Sequence, residues 1–321
     1  MKKAAIIIVF MSVLGCTTAG KSKTFDSIER IVFASGIDAG GHLKTEDTFL
    51  QNLSPFDRSA RLKTGREVDH AEYLDYIAAQ TLDWTAEEKE KINNAMVLVN
   101  LAFSQYSLSF PEELIFIKTT GLEEGNAAYC RGNNIIVLPA SYINVPMDRL
   151  CNLLIHELFH IYSRNNSVTK DALYEILSFR KCGELQLPEE IFRWKITNPD
   201  AASNNYFFSS TINGSDYALM PILLASSNYN EEKGGEFFDY LGLYFIAITE
   251  NNDAAVPLIR NGSYVLFAPD QVPDYGRLIG RNTTYIIHPE EVLADNFLFM
   301  VNNRKNLPNM EIIEEMRSIL K

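Results

Sequence analysis

Apolar residues fill most positions of one stretch near the middle of the chain, from Leu150 to Tyr162. Between Arg149 and Arg164 the only charged side chain is that of Glu157. A helix that is apolar nearly all round is typical of the buried centre of a domain. The pattern therefore predicts a central helix here, and its single carboxylate has no obvious structural purpose.

The region before this helix is predicted to mix helices and strands. Thr85-Ala86-Glu87-Glu88 has the form of a capping box, which predicts a helix from this point to about Gln105. Leu114–Lys118 alternates as a strand does, and Tyr129–Leu138 is interpreted as a loop or bulge that leads into a second strand. The dense glycines of Asp38–His42 predict a loop.

The region after it is predicted to contain a polar turn, an antiparallel unit and the last helices. The turn covers 165–170, and a helix follows from about Asp171 to Phe179. Segments rich in tyrosine and phenylalanine, separated by Asn and Gly, favour strands at Tyr217–Ala225, Phe237–Ile248 and Ser263–Ala268. Pro289 followed by two glutamates predicts the start of a late helix.

The length and charge limit the classes of protein to consider. With 321 residues the chain can bury the core of one large domain, and its net charge of −12 argues against nucleic acid and anionic membrane surfaces as partners. The predicted class is α+β, with one domain over 25–321 that divides into an N-terminal lobe (25–145) and a second part (146–321).

The N-terminus has the features of a targeting segment. Lys2 and Lys3 precede an apolar run that is too short to span a bilayer, and Gly15-Cys16 follows it directly. This order resembles a bacterial lipobox, which implies a signal peptide over 1–15, lipid attachment to Cys16 and a tether over 16–24. An ordinary signal peptide cut near Ala19 is the alternative. Localisation in the cell envelope is expected, at the outer membrane if the source is Gram-negative.

Three cysteines are left once Cys16 is assigned to lipid. They are Cys130, Cys151 and Cys182, so one disulfide and one free thiol are possible, and the spacing does not choose a pair. We interpret Cys151, which lies on the central helix, as a small buried residue.

The central helix carries the strongest chemical motif. His156, Glu157 and His160 form H-E-x-x-H, which places both imidazoles on one helical face, one turn apart. Such a pair can bind Zn²⁺, and the adjacent glutamate can take a proton from water on the metal. The alternative is a hydrogen-bonded histidine pair in the core with a solvated glutamate.

A third ligand is sought further along the chain. A third histidine at the H-x-x-G-x-x-H spacing is excluded, because Ser163 and Asn166 occupy those positions. Glu291 and Asp295 lie one turn apart in the predicted late helix, so Glu291 can be the ligand while Asp295 orients a histidine. Glu290 and His288 are the rival third ligands.

With HELFH and EEVLAD, the chain resembles the gluzincin class of zinc metallopeptidases. The resemblance implies a zincin-like domain with one zinc ion on His156, His160 and Glu291. It also implies Glu157 as general base, Asp295 behind a ligand, and a small mixed sheet whose edge strand lies over the site. Tyr129–Leu138 is the candidate edge strand, with a plain core strand as the alternative. The segments NNSVTKDALYE and KITNPDA are similar to those of bacterial lipoproteins without an assigned substrate.

The predicted function is a lipid-anchored zinc metallopeptidase that acts on a peptide or protein. Tyr285 and His288 are candidates for stabilising the oxyanion, and the alternatives are core packing for Tyr285 and helix-start support for His288. Two other functions are considered: a non-catalytic lipoprotein that binds through the zincin scaffold, and a zinc amidase that cleaves cell-wall peptides. The retained Glu157 argues against the first of these. The oligomeric state is left open.

Overall fold

The computed structural model describes residues 30–251 and 253–321, and these have the predicted α+β class. The helices are α1 Gly36–Lys44, α2 Thr48–Gln51, α3 Pro55–Arg61, α4 His70–Ala79, α5 Ala86–Phe103, α6 Ala140–Ile143, α7 Met147–Asn165, α8 Ser167–Ile176, α9 Glu189–Phe192, α10 Pro273–Ile279, α11 Pro289–Val301 and α12 Met310–Leu320. The strands are β1 Arg30–Ala34, β2 Thr81–Leu82, β3 Glu113–Thr119, β4 Tyr129–Arg131, β5 Ile135–Pro139, β6 Arg180–Lys181, β7 Tyr206–Ile212, β8 Ser215–Ala225, β9 Leu241–Asn251, β10 Ala254–Pro257, β11 Ile259–Arg260, β12 Ser263–Tyr264 and β13 Leu266–Phe267.

The first sheet is small and mixed, as predicted. Its strand order is β1-β3-β5-β4, and β2 pairs with β3. The pairs β1–β3 and β3–β5 are parallel, whereas β4 runs antiparallel to β5 with Cys130 opposite Ile136. Pro139 ends β5 and leads into α6. In this path β4 is the edge strand, and it contacts the central helix α7.

The second sheet is antiparallel and precedes the last three helices, which agrees with the predicted insertion. Its order is β10-β9-β8-β7-β6, and β13 also pairs with β9. The long strands β8 and β9 pair from Ala218 opposite Ile248 to Ala225 opposite Leu241. The predicted strand start at Phe237 is wrong, because Phe237–Tyr240 forms a 3-10 turn and Phe237 and Tyr240 are buried in a separate core cluster.

The central helix α7 lies among α5, α8, α11 and strand β4. Its apolar side chains are almost all buried in the largest core cluster, which also takes in residues of α5, α11 and α12. Helix α5 begins with the predicted capping box, in which Thr85 and Glu88 bond each other's backbone N–H. The predicted central position of the H-E-x-x-H helix is therefore confirmed within the described chain.

Two local predictions are wrong. The predicted loop at 38–42 lies inside α1, which packs against α4. Gly40 faces Ala78 so closely that an added Cβ would lie 3.2 Å from the Ala78 Cβ, so the glycine serves helix packing and not a turn. The predicted turn at 165–170 is also shorter than expected, because α8 already begins at Ser167.

The N-terminal predictions lie outside the described residues. These are the signal peptide over 1–15, the tether over 16–24 and the lipidation of Cys16. Among the helices that the structure describes, none combines the length and hydrophobicity needed to span a bilayer. Cys130, Cys151 and Cys182 are free thiols, so no pair has to be chosen among them, and Cys151 is only partly buried.

Candidate metal centre

Helices α7 and α11 bring the two sequence motifs together. Nε2 of His156 lies 3.2 Å from Oε2 of Glu291, and Nε2 of His160 lies 3.6 Å from the same oxygen. One ligand atom of each residue lies within 4.8 Å of the other two. We call His156, His160 and Glu291 the candidate metal centre.

A second set of carboxylates holds the far side of each imidazole. Nδ1 of His156 lies 3.1 Å from Oδ1 of Asp295, and Nδ1 of His160 lies 3.3 Å from Oε1 of Glu290. A carboxylate accepts hydrogen bonds, so each Nδ1 carries a proton and each Nε2 is turned towards Glu291, where a bound cation would take the Nε2 lone pair. The orientation of the two rings therefore suits metal binding.

The donors of the centre fit a metal ion. Nε2 of His160 is buried and has no hydrogen-bond partner among the described residues. Buried polar atoms are rarely left without one, so this atom indicates that a ligand belongs at the point it faces. Asn198 donates from Nδ2 to Oε1 of Glu291 at 2.6 Å, which leaves the other oxygen for the histidines. Two imidazoles and one carboxylate form a common catalytic zinc set.

Glu290, the rival ligand, is occupied elsewhere. Besides His160, its carboxylate accepts hydrogen bonds from Tyr174 at 2.6 Å and from Ser163 at 3.0 Å, and Lys170 lies 3.6 Å away. Burial alone would raise its pKa, but Lys170 and His160 outweigh this and lower the pKa of Glu290 to about 2. Glu290 is thus an ionised carboxylate that orients His160, and Glu291 faces both Nε2 atoms.

His288 does not join the centre or its cleft. Its Nδ1 accepts the backbone N–H of Glu290 at 3.1 Å, so the ring caps the N-terminus of α11. Burial lowers the pKa of His288 to about 4, which keeps the ring neutral as this acceptor role requires. The predictions that His288 is a third ligand or an oxyanion donor are therefore wrong. His288 is the N-cap residue of α11, which agrees with the alternative of helix-start support.

Tyr285, the other oxyanion candidate, does lie at the cleft. Its ring is stacked near that of His156, with centroids 6.5 Å apart. The residue remains 40% exposed, so core packing does not account for its position. Its role in the reaction stays a prediction.

Glu157 lies in a buried pocket that sequence reasoning missed. The Cys130 Sγ atom, one carboxylate oxygen of Glu157 and one of Asp200 all lie within 4.8 Å of one another. The Cys130 thiol donates to Oε2 of Glu157 at 3.3 Å, and its backbone N–H donates to Asp200 at 2.8 Å. Burial, with a further contribution from Asp200, raises the pKa of Glu157 to about 7.

The missed residues come from distant parts of the chain. Asn198 and Asp200 lie in the turn at 198–200, and Asn198 accepts the backbone N–H of Asp200. In the sequence this segment has the signature of a turn and lies within KITNPDA, which is similar to a segment of bacterial lipoproteins, but neither feature assigns Asn198 or Asp200 to an active site. The sequence predicts Cys130 as a possible disulfide partner and as part of the candidate edge strand Tyr129–Leu138, and neither role places it against Glu157.

An open cleft of about 420 Å³ adjoins the centre. Its walls comprise Ala127, Ala128, Tyr142, Val145, Arg149, Asn152, Leu153, His156, Glu157, Asp200, Tyr285, Glu291 and Leu298. The candidate base and two of the three candidate ligands therefore face one accessible space.

Among the described residues that line the cleft, none belongs to the predicted edge strand Tyr129–Leu138. Strand β4 is the edge of the first sheet, but the outward N–H of Cys130 is already bonded to Asp200. Ala127 and Ala128, just before β4, line the cleft. Pairing of a substrate with Tyr129–Leu138 therefore stays a prediction, and the residues that line the cleft here are those immediately before this segment.

Comparison of the chain with protein-family models, with curated proteins and with solved structures found no match. The resemblance to gluzincins consequently rests on the two motifs. The function has to be argued from the geometry around them.

Proposed function

We propose that this chain is a zinc metallopeptidase with a zincin-like catalytic domain. The observation that carries the proposal is the convergence of two imidazole Nε2 atoms and one Glu291 oxygen on a single point beside Glu157. When bound, zinc would supply Lewis-acid polarisation of a carbonyl group and acidification of water. His156, His160 and Glu291 would hold one ion per chain.

Glu157 is proposed as the general base. The residue lines the cleft next to His156 and is only 3% exposed, and its carboxylate accepts a hydrogen bond from the thiol of Cys130. It would take a proton from the attacking water and return it to the leaving amine. Glu290 and Asp295 would keep the two imidazoles oriented throughout, because each accepts an Nδ1 proton.

The form of the cleft supports a peptide as the substrate. It is open to solvent, and its walls away from the candidate metal centre are largely apolar. Ala127 and Ala128, which directly precede the edge strand β4, line the cleft, and a strand edge can bind an extended peptide backbone. Tyr285 is proposed to donate a hydrogen bond from its hydroxyl to the developing oxyanion.

The setting is proposed to be the bacterial cell envelope, with the chain anchored through lipid on Cys16. This part rests on the residue pattern of the N-terminus. Metabolic labelling with a radioactive fatty acid tests it, because a Cys16→Ser variant should lose the label.

The metal proposal is tested by zinc content. The full chain, purified without chelator and exposed to zinc, should hold one equivalent, and Glu291→Ala should lose most of it. Glu311→Gln, an exposed acid on α12, is the matched control and should retain the metal. Zinc held equally by the parent and Glu291→Ala would contradict the ligand assignment. No zinc in the parent would contradict the proposed function.

The catalytic proposal is tested by cleavage of a mixed peptide library followed by mass spectrometry. Glu157→Gln should keep the zinc and lose activity by roughly 10²–10⁴-fold, the usual contribution of a general base. Unchanged cleavage by that variant would reject Glu157 as the base.

A further inference from the structure

Helix α7 forms one wall of the cleft, and this wall includes the positively charged side chain of Arg149. Arg149 precedes His156 by seven residues, close to two turns, so both lie on the same helical face. Asn152 and Leu153, between them, also line the cleft. At 1.5 Å per residue, Arg149 lies about 10.5 Å from His156 along the helix axis.

Arg149 is the only cationic residue among the described residues that line this cleft. The acids of the cleft, Glu157, Asp200 and Glu291, all belong to the candidate metal centre or adjoin it. Arg149 is solvent-exposed, and no carboxylate lies within 4.0 Å of its guanidinium in the described part of the chain. It therefore has no internal charge to neutralise.

The other arginine of the same helix shows the difference. Arg164 donates to the backbone oxygens of Gly132 and Pro199 at 3.0 and 2.6 Å, and Asp200 lies 3.5 Å away. Arg164 thus binds parts of the fold together. Arg149 forms none of these contacts within the residues described, which leaves its planar donors free for a ligand.

We infer that Arg149 binds a carboxylate of the substrate, so that the chain prefers acidic peptides or peptides that end near the scissile bond. The inference rests on the proposed peptidase function. An extended peptide advances about 3.3 Å per residue, so 10.5 Å corresponds to about three residues, and the reach of the arginine side chain can shorten this to two. A carboxylate there can accept two parallel hydrogen bonds from the guanidinium.

The experiment measures binding without turnover. The full chain with Glu157→Gln, loaded with zinc, is titrated against fluorescent eight-residue peptides that carry one glutamate at successive positions, each matched by a glutamine peptide. A second pair compares a free C-terminal carboxylate with its amide. These two arms distinguish a side-chain carboxylate from a chain terminus.

We expect roughly ten-fold tighter binding of the acidic member at one or two adjacent positions, with a preference that falls as salt rises. Arg149→Gln should reduce the ratio to about one, and Arg149→Glu should favour a lysine peptide. Arg304→Gln, an exposed arginine outside the cleft, is the control and should keep the preference.

Equal binding of acidic and neutral peptides, absence of all binding, or a preference that survives Arg149→Gln would each overturn the inference. The failure of the proposed function is recognised separately, from zinc content and from cleavage of neutral peptides by the parent. If the parent holds zinc and cleaves neutral peptides but shows no preference for acidic ones, the proposed function stands and only the inference about Arg149 is rejected.

Discussion

Two clusters of buried charged and polar residues can be compared in this protein. In the first, which we call the Arg61 cluster, the guanidinium contacts Asp57 at 2.5 Å and Glu124 at 2.7 and 2.8 Å, and donates to the backbone oxygen of Thr197 at 3.0 Å. The backbone N–H of Thr197 in turn donates to Asp57. The Arg61 cluster is closed, because its donors and acceptors satisfy one another.

The candidate metal centre is arranged differently. His156, His160 and Glu291 point their donor atoms at one place, and Nε2 of His160 has no hydrogen-bond partner among the described residues. Both clusters are largely buried, with His156 partly exposed, and both join distant segments, so burial alone does not separate structure from function. The difference lies in whether the polar atoms are satisfied by the protein itself, since an open set indicates a ligand.

The largest expected effect is in the closed cluster. Arg61→Met would leave the Asp57 and Glu124 carboxylates buried without a cation, and removing one partner of a buried ion pair costs about 3–5 kcal/mol. Urea unfolding measures this loss, and zinc should not restore it. Arg66→Met, which removes an exposed pair with Glu72, should change the free energy of unfolding far less. Equal losses in the two variants would refute the idea that the Arg61 cluster is structural.

The open cluster should gain stability only from its ligand. At a free zinc concentration 100 times the dissociation constant, binding to the folded state alone adds about 2.7 kcal/mol to the free energy of unfolding. Unfolding of the parent with zinc and with chelator measures this gain. Glu291→Ala should show little difference between the two conditions, and a parent that also shows none would contradict the open character of the centre.

The carboxylates of Asp295 and Glu290, which contact the Nδ1 atoms of the two imidazoles, test whether the open cluster depends on support from outside its ligands. Asp295→Asn and Glu290→Gln remove the charge that holds each Nδ1 proton, so zinc affinity should fall about 10- to 100-fold in each. Competition with a chromophoric chelator gives these affinities. The expected order places both variants between the parent and Glu291→Ala, and affinities equal to that of the parent would show that the two acids do not support the ligands.

The smallest expected effect concerns His288, a neutral group that belongs neither to the Arg61 cluster nor to the candidate metal centre. Its folded pKa of about 4 lies below the ordinary 6.5, so its stabilisation is complete above pH 6.5 and is lost as the pH falls towards 4. Between pH 7 and pH 4.5 the loss should be about 2 kcal/mol. Urea unfolding at pH 7 and pH 4.5, with chelator present, measures it.

His288→Asn keeps a side chain that can cap α11 and removes the titration. The difference in unfolding free energy between parent and variant should therefore change with pH in that window. A difference that is the same at both pH values would show that the imidazole does not titrate with unfolding.

Much of the fold could be predicted from local patterns. The capping box at Thr85, the strand β3 and the proline start of α11 are encoded within a few residues, and the structure has all three, although β3 is buried from Leu114 to Thr119 and does not alternate. Helix α1 was missed because its glycines favour a turn locally, whereas packing of Gly40 against Ala78 decides the outcome. Tertiary contacts outweigh propensity there.

By itself, the sequence determined which residue types the site has to use. The four-residue spacing of His156 and His160 and that of Glu291 and Asp295 each place two side chains on one helical face, because the α-helix repeats every 3.6 residues. Only the tertiary structure decided that Glu291 and not Glu290 faces both imidazoles, since this depends on the rotation of α11 against α7.

The tertiary structure alone also brought Asp200 to the pocket of Glu157. Forty-two positions separate these two residues in the chain, and no local period relates them. Their approach depends on packing of the 198–200 turn against strand β4, where the Cys130 N–H bonds Asp200. Contacts of that kind are made by the folded chain as a whole, and for this reason a sequence pattern of a few residues does not contain them.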